Sequence, residues 1–355
     1  ACSLPRVFRL FGLAPWSEDD RPKLTKCYQL SLLTASLAVF SAFLLEVVWA
    51  YYGGRVLRST CSGRHGNVCW QQPGLLSNLP QATALVSCLA FPILLPRNMN
   101  VSRALVLLRA YMQKKDLLAR WSSQASGDTW MTLTIWFLTI VFACLGVLLD
   151  SNFAAPDVGD VLHLLSVTLL ATMSAGWSQC MLYMCRALAA MVDQYCCSLA
   201  NSPDVLLAMK EWNILQAVLL KASVSIQWSF ITMLLAIGFT VPLMIADFLS
   251  FGAQIAGVAP VVPGALVVLL LVRVFFVAAG ITDKCARVPA VVNSLCFGPG
   301  TEHRRQLLIE YIVHSDAGFY VLETRLTTGM ALKFMYMWCV IAFGIATNLL
   351  AKEQK

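Results

Sequence analysis

The chain has 355 residues, 58% of them hydrophobic and 13% charged, with a mean hydropathy of +0.70 and a formal net charge of +7. Soluble domains carry about 25% charged residues, so this composition excludes a water-solvated globule and makes lipid the solvent. The excess of Lys and Arg does not point to nucleic acid, because the bases sit in short segments between apolar runs, as membrane flanks do.

No signal peptide is expected: residues 1–26 lack an apolar core and carry Glu18, Asp19 and Asp20. The first expected membrane span is 28–51. A loop follows, "STCSGRHGNVCWQQPG", whose Cys61 and Cys69 are spaced to close a short disulfide, with two free thiols as the alternative. The second span is 75–95. A helical segment over 98–123 then places Leu105, Leu108, Tyr111 and Met112 on one face, with bases opposite.

The third and fourth spans are expected at 130–149 and 161–185. A helical segment at 186–222 follows, broken at "NSPD", where Ser202 reads as an N-cap and Pro203 as the first helical residue. The fifth and sixth spans, 223–251 and 258–281, are parted by a Gly- and Pro-marked turn. An amphipathic helical segment at 301–330 leads to the seventh span, 333–351. The segments 98–123, 186–222 and 301–330 are too apolar to float free, so they are expected to extend the spans and pack together; lying flat on an anionic leaflet is the alternative.

Lys and Arg set the orientation. Residues flanking one side of the seven spans include 19 of these bases, against 5 on the other: Arg55, Arg58, Arg64, Lys352 and Lys355. The N-terminus is therefore expected in the cytoplasm and the C-terminus outside. A G-protein-coupled receptor has the reverse orientation, and the sequence has neither a DRY after the third span nor an NPxxY in the last. A secondary transporter predicts internal repeats, and none is evident. HExxH, GxSxG, P-loop and CxxC patterns are absent, so no enzyme activity, cofactor or metal site is expected.

Arg273 is the conspicuous charge inside a span, in "LVVLLLVRVFFVAAG". Intramembrane charges are costly and usually serve a role. Glu46 and Asp247 are the partners considered, and snorkelling inward is the other solution. His163 reads as an ordinary helix residue and Lys333 as a snorkelling one. Trp130, Trp136, Trp177 and Trp228 read as packing or interfacial belts. The vicinal thiols Cys196 and Cys197 read as packing, with acylation as the alternative.

The last span carries Met335-Tyr336, then "MWCVI", then Ala342-Phe343. Upstream lies "AGFYVLETRLTTG", Ala317–Gly329. With the inverted topology and long inner segments, these stretches resemble the insect gustatory and odorant receptors. Those receptors carry Thr-Tyr, five hydrophobic residues and Gln-Phe in the last span. Here Tyr336 and Phe343 match, while Met335 and Ala342 replace Thr and Gln, as in a divergent, gustatory-receptor-like member. The resemblance implies an all-α chain of seven transmembrane helices in the plasma membrane, extended into a cytoplasmic anchor bundle. It implies a chemosensory, small-molecule-gated cation channel, assembled as a homo- or hetero-tetramer. Tyr336, Cys339 and Phe343 would lie on its pore-lining helix, and Phe343 would form a gating constriction. A non-conducting orphan membrane protein with the same fold is the alternative.

Asn100-Val101-Ser102 is a glycosylation sequon on the side expected to face the cytoplasm. Intact-mass analysis of protein from a glycosylating host is expected to find Asn100 bare; a glycan there would overturn the orientation.

Overall fold

The computed structural model describes residues 117–150, 158–201, 204–251, 261–295 and 302–353, with scattered positions between 30 and 113. Among them are six labelled helices and one hairpin: α1 (Leu118–Asp150), α2 (Val158–Asn201), α3 (Val205–Phe251), α4 (Val262–Ser294), α5 (Glu302–His314), β1 (Tyr320–Val321), β2 (Thr324–Arg325) and α6 (Thr328–Glu353). Apolar surroundings offer backbone groups no partner but each other, which favours continuous helix. Polar side chains on these helices are absorbed locally. In α1 the hydroxyls of Thr129, Thr134 and Thr139 donate to the carbonyls of Ala125, Trp130 and Ile135 at 2.8–2.9 Å.

Among the described residues four stretches are long and apolar enough to cross a membrane: Ala125–Leu149, Val205–Ile245, Val262–Ser294 and Thr328–Asn348. They overlap the third, fifth, sixth and seventh expected spans. The expected fourth span, 161–185, lies inside α2 but is not among the four. Its buried Ser166, Ser174, Ser178 and Gln179 make it more polar than its neighbours. Most of the first two expected spans, and the Cys61 and Cys69 pair, lie outside the described residues.

Contacts between helices give their directions. Along α1, Trp121, Thr132 and Trp136 meet Tyr183, Gln179 and Thr172 of α2, so these two run antiparallel. Arg186 and Asp193 of α2 are level with Arg273 and Lys284 of α4, so those two run parallel. Phe275 of α4 touches Phe334 of α6 and Asp283 accepts from the N–H of Thr328, an antiparallel pairing. Helices α1 and α6 therefore run one way and α2 and α4 the other.

Towards the hairpin end of the bundle the helices pack in a second layer, tied by polar contacts. Trp212 of α3 stacks on Tyr195 of α2, 5.1 Å between ring centroids, and its Nε1 donates to Ser315 Oγ at 2.7 Å. Gln216 Nε2 donates to the Ser315 carbonyl at 2.6 Å. Lys284 Nζ pairs with Asp193 at 2.7 Å. At the start of α3 the cap is Asp204, whose Oδ1 accepts from the Leu206 N–H at 3.0 Å. Ser202 and Pro203, expected to start this helix, lie outside the described residues.

The helix expected over 301–330 stops at His314, and a hairpin replaces its second half. Asp316 turns into the left-handed region (φ 49°), which helix cannot continue through. β1 and β2 then pair with Tyr320 opposite Arg325 and Val321 opposite Thr324. Leu322 and Glu323 form the two-residue turn, both at positive φ (47° and 63°), as a mirror-type hairpin turn requires. The hairpin is fixed to α4: the Phe319 N–H donates to Thr282 Oγ1 at 2.9 Å, and the Phe319 ring is fully buried against Phe230 of α3. Thr327 caps α6 through the Met330 N–H at 3.2 Å. Phe319→Ala is expected to cost about 3–5 kcal/mol, read as a lowered melting temperature of the detergent-solubilised protein, while Leu322→Ala at the exposed turn changes it little.

Candidate functional site

Two features combine unusual chemistry with access: the outer face of α6 and a charge cluster between α1, α2 and α4.

Helix α6 leaves the hairpin with one side against the subunit. Phe334 packs on Phe275, and the Trp338 indole edges onto Phe334 and lies over Gly238 of α3. Only Gly permits that approach: a Cβ at position 238 would sit 2.0 Å from the Trp338 ring. Ala342 is buried on the same side. It therefore faces the interior of the chain, whereas the next residue, Phe343, faces outward. The opposite side is bare. Tyr336 is 71% exposed and Phe343 72%, and Cys339 between them is exposed as a free thiol. These three follow the 3-and-4 spacing that puts residues on one helical face. Only 11% of the apolar window of α6 is buried in the chain, against 50% for α4. Lys333, near the start of this helix, is exposed.

Arg273 has a partner the sequence reading missed. Its Nη2 meets Asp128 Oδ1 at 2.5 Å, and Arg186 Nε holds the other oxygen, Oδ2, at 2.8 Å. One carboxylate, 3% exposed, thus serves two guanidiniums on two other helices. Of the partners considered earlier, Glu46 and the side chain of Asp247 lie outside the described residues. Asp128 escaped notice because it precedes the third expected span and reads as loop chemistry. Its signal in the sequence is that Asp128 and Asp150 bracket a stretch with no other charge. One turn further along α1, Gln179 Nε2 donates to Thr129 Oγ1 at 2.8 Å, and Thr132 donates to Gln179 Oε1 at 3.0 Å. Next, Trp136 Nε1 donates to Thr172 Oγ1 at 3.0 Å. The α1–α2 seam is therefore a ladder of satisfied polar pairs ending in the ion cluster.

The other aromatic and sulfur residues resolve individually. Trp130 is exposed, Trp228 is half-buried and Trp177 is buried. Cys196 is half-buried, and burial pushes its thiol up to about 11, which keeps it protonated and unreactive near neutral pH. Its neighbour Cys197 is exposed. Among the described residues no cluster of His, Cys, Asp and Glu could hold a metal ion.

With this geometry in hand, solved structures offer a comparison. Olfactory receptor OR5 of the insect Machilis hrabei, in complex with eugenol, superposes with a TM-score of 0.62 at 10% identity, covering 98% of this chain and 97% of that one. The chain has the insect olfactory-receptor fold. A second structure of the same receptor agrees, with a TM-score of 0.62 at 9% identity and 96% coverage of both chains. No protein-family model matches the sequence, and no curated protein matches it significantly. In this chain the last helix, α6, packs on the described helices along one side.

The α3–α6 contact is testable. Gly238→Val is expected to cost roughly 1–3 kcal/mol by overpacking, and Trp338→Ala in the same chain is expected to restore part of it. A double-mutant cycle by thermal melting measures the coupling; additive losses would mean the two residues do not meet.

Proposed function

We propose that this chain is a divergent member of the insect odorant and gustatory receptor superfamily and one subunit of a chemoreceptor-like ligand-gated cation channel. The observation that carries the reading is the bare, one-sided face of α6 in a chain with this fold. Four copies around an axis would cover that face and make it the wall of a central conduit. Tyr336, Cys339 and Phe343 would then project towards the axis, with Phe343 as a hydrophobic constriction that closes by dewetting. The second layer, where Trp212 and Gln216 hold α3 to Ser315 at the end of α5, would anchor the last helix while the membrane portion moves. The N-terminus would be cytoplasmic and the C-terminus extracellular, with seven spans in the plasma membrane.

The relative with this fold was solved with eugenol, which supports a small organic molecule as the activating ligand here. The resemblance puts its pocket in the outer half, between the second, third, fourth and sixth spans.

Cys339 is a native reporter for the pore. In voltage-clamped cells expressing the chain, a cationic methanethiosulfonate applied from outside is expected to block most of the current, and Cys339→Ala to abolish that block. Phe343→Ala is expected to raise the basal leak severalfold. Currents indifferent to both changes would remove α6 from the pore. A surface-expressed tetramer with no current under a broad panel of odorants and tastants would favour the non-conducting reading.

A further inference from the structure

The ion cluster between α1, α2 and α4 carries more positive charge than it neutralises. Arg186 and Arg273 share Asp128, so the group holds one surplus cation. Among the described residues no second carboxylate reaches either guanidinium, and the nearest acid along α2, Asp193, is held by Lys284. Arg273 Nε is buried with no hydrogen-bond partner, and each guanidinium has further N–H groups beyond those given to Asp128. Yet the two side chains keep 33% and 37% of their surface accessible. The cluster is therefore reachable and short of one anion.

Its depth identifies the anion. Residues 129–149 of α1 carry no charge and, at 1.5 Å per residue, extend about 30 Å, the thickness of a hydrocarbon core. Asp128 thus stands at one edge of that core. Arg186 lies seven residues before Asp193 on α2, whereas Arg273 lies eleven before Lys284 on the parallel α4. Arg273 is therefore rooted deeper in the core and stretches its side chain towards the edge to reach Asp128. That edge, on the hairpin side of the bundle, is where phospholipid phosphates lie, and planar guanidinium forks suit phosphate oxygens.

We infer that Arg186 and Arg273 form a binding site for the phosphate of an anionic phospholipid in the leaflet beside the hairpin. Asp128 holds the two guanidiniums in place and leaves the surplus charge for the lipid. The site joins the three helices α1, α2 and α4 through one headgroup, so its occupancy stiffens the bundle.

The test compares the full chain in nanodiscs of phosphatidylcholine alone and of phosphatidylcholine with phosphatidylserine. Phosphatidylserine is expected to raise the melting temperature of the native chain by about 5 °C. Arg273→Gln retains a balanced Asp128–Arg186 pair and so is expected to fold, with the lipid-dependent rise lost. Arg186→Gln serves as the second variant with the same expectation. Asp128→Asn is expected to enlarge the rise, because it leaves two unpaired cations. Lys284→Gln, which removes a base already paired, is expected to leave the rise intact. Inorganic phosphate added to the phosphatidylcholine nanodiscs is expected to have no effect; stabilisation by phosphate alone would replace the lipid by a soluble anion. An equal melting temperature in the two nanodiscs, or a rise unchanged in both Arg variants, would overturn the site.

Discussion

Burial of the middle of α2 is the constraint on which the other helices depend. From Ser166 to Val192 most residues are buried, and the sequence there mixes large side chains with small ones: Ala171, Ser174, Ala175, Gly176, Ser178, Ala187, Ala189 and Ala190. Small residues let neighbouring backbones approach closely, which matters where lipid supplies no hydrophobic drive between helices. The enclosed helix can also afford Ser and Gln, because the α1 threonines and Gln179 satisfy one another. A post of this kind collects α1 on one side and α4 on another, and α4 in turn supports α6.

What α2 gathers, α6 lacks. The last helix is held at its start by the hairpin and along one side by Phe275, Phe334 and the Gly238–Trp338 approach. The rest of its surface is largely exposed and mostly apolar. A membrane-grade helix with one covered side is at home against lipid or against copies of itself, and the exposed Tyr336, Cys339 and Phe343 make the second arrangement chemically consequential. The hairpin gives this helix its heading. Thr282 Oγ1 accepts from the Phe319 N–H and donates to the Phe319 carbonyl, Phe319 fills a slot against Phe230, and two residues at positive φ reverse the chain. Such turn residues carry a local conformational cost that the buried Phe319 ring offsets.

The charge cluster shows how the same bundle treats ions. A lone Arg in hydrocarbon is expensive; Arg273 avoids that by reaching a buried carboxylate at the edge of the core. The arrangement ties three helices at one level, while Lys284 and Asp193 tie α2 to α4 at the next. Two ion pairs in register hold the direction of α4 against α2 more strictly than apolar packing, which tolerates sliding.

The sequence by itself determined the solvent, the helical class and the positions of the long apolar runs, because composition and hydropathy are sums over neighbours in the chain. Tyr336, Cys339 and Phe343 were picked out by the family resemblance, and their helical spacing puts them on one face. The sequence alone extended the 301–330 helix through residues that form a hairpin, and left Arg273 without its partner. Those features belong to the tertiary structure. Whether a polar stretch is enclosed, whether Asp316 turns left-handed to let Phe319 reach Thr282, and which carboxylate meets an arginine 145 residues away are decided by packing between distant segments, and no local period records that.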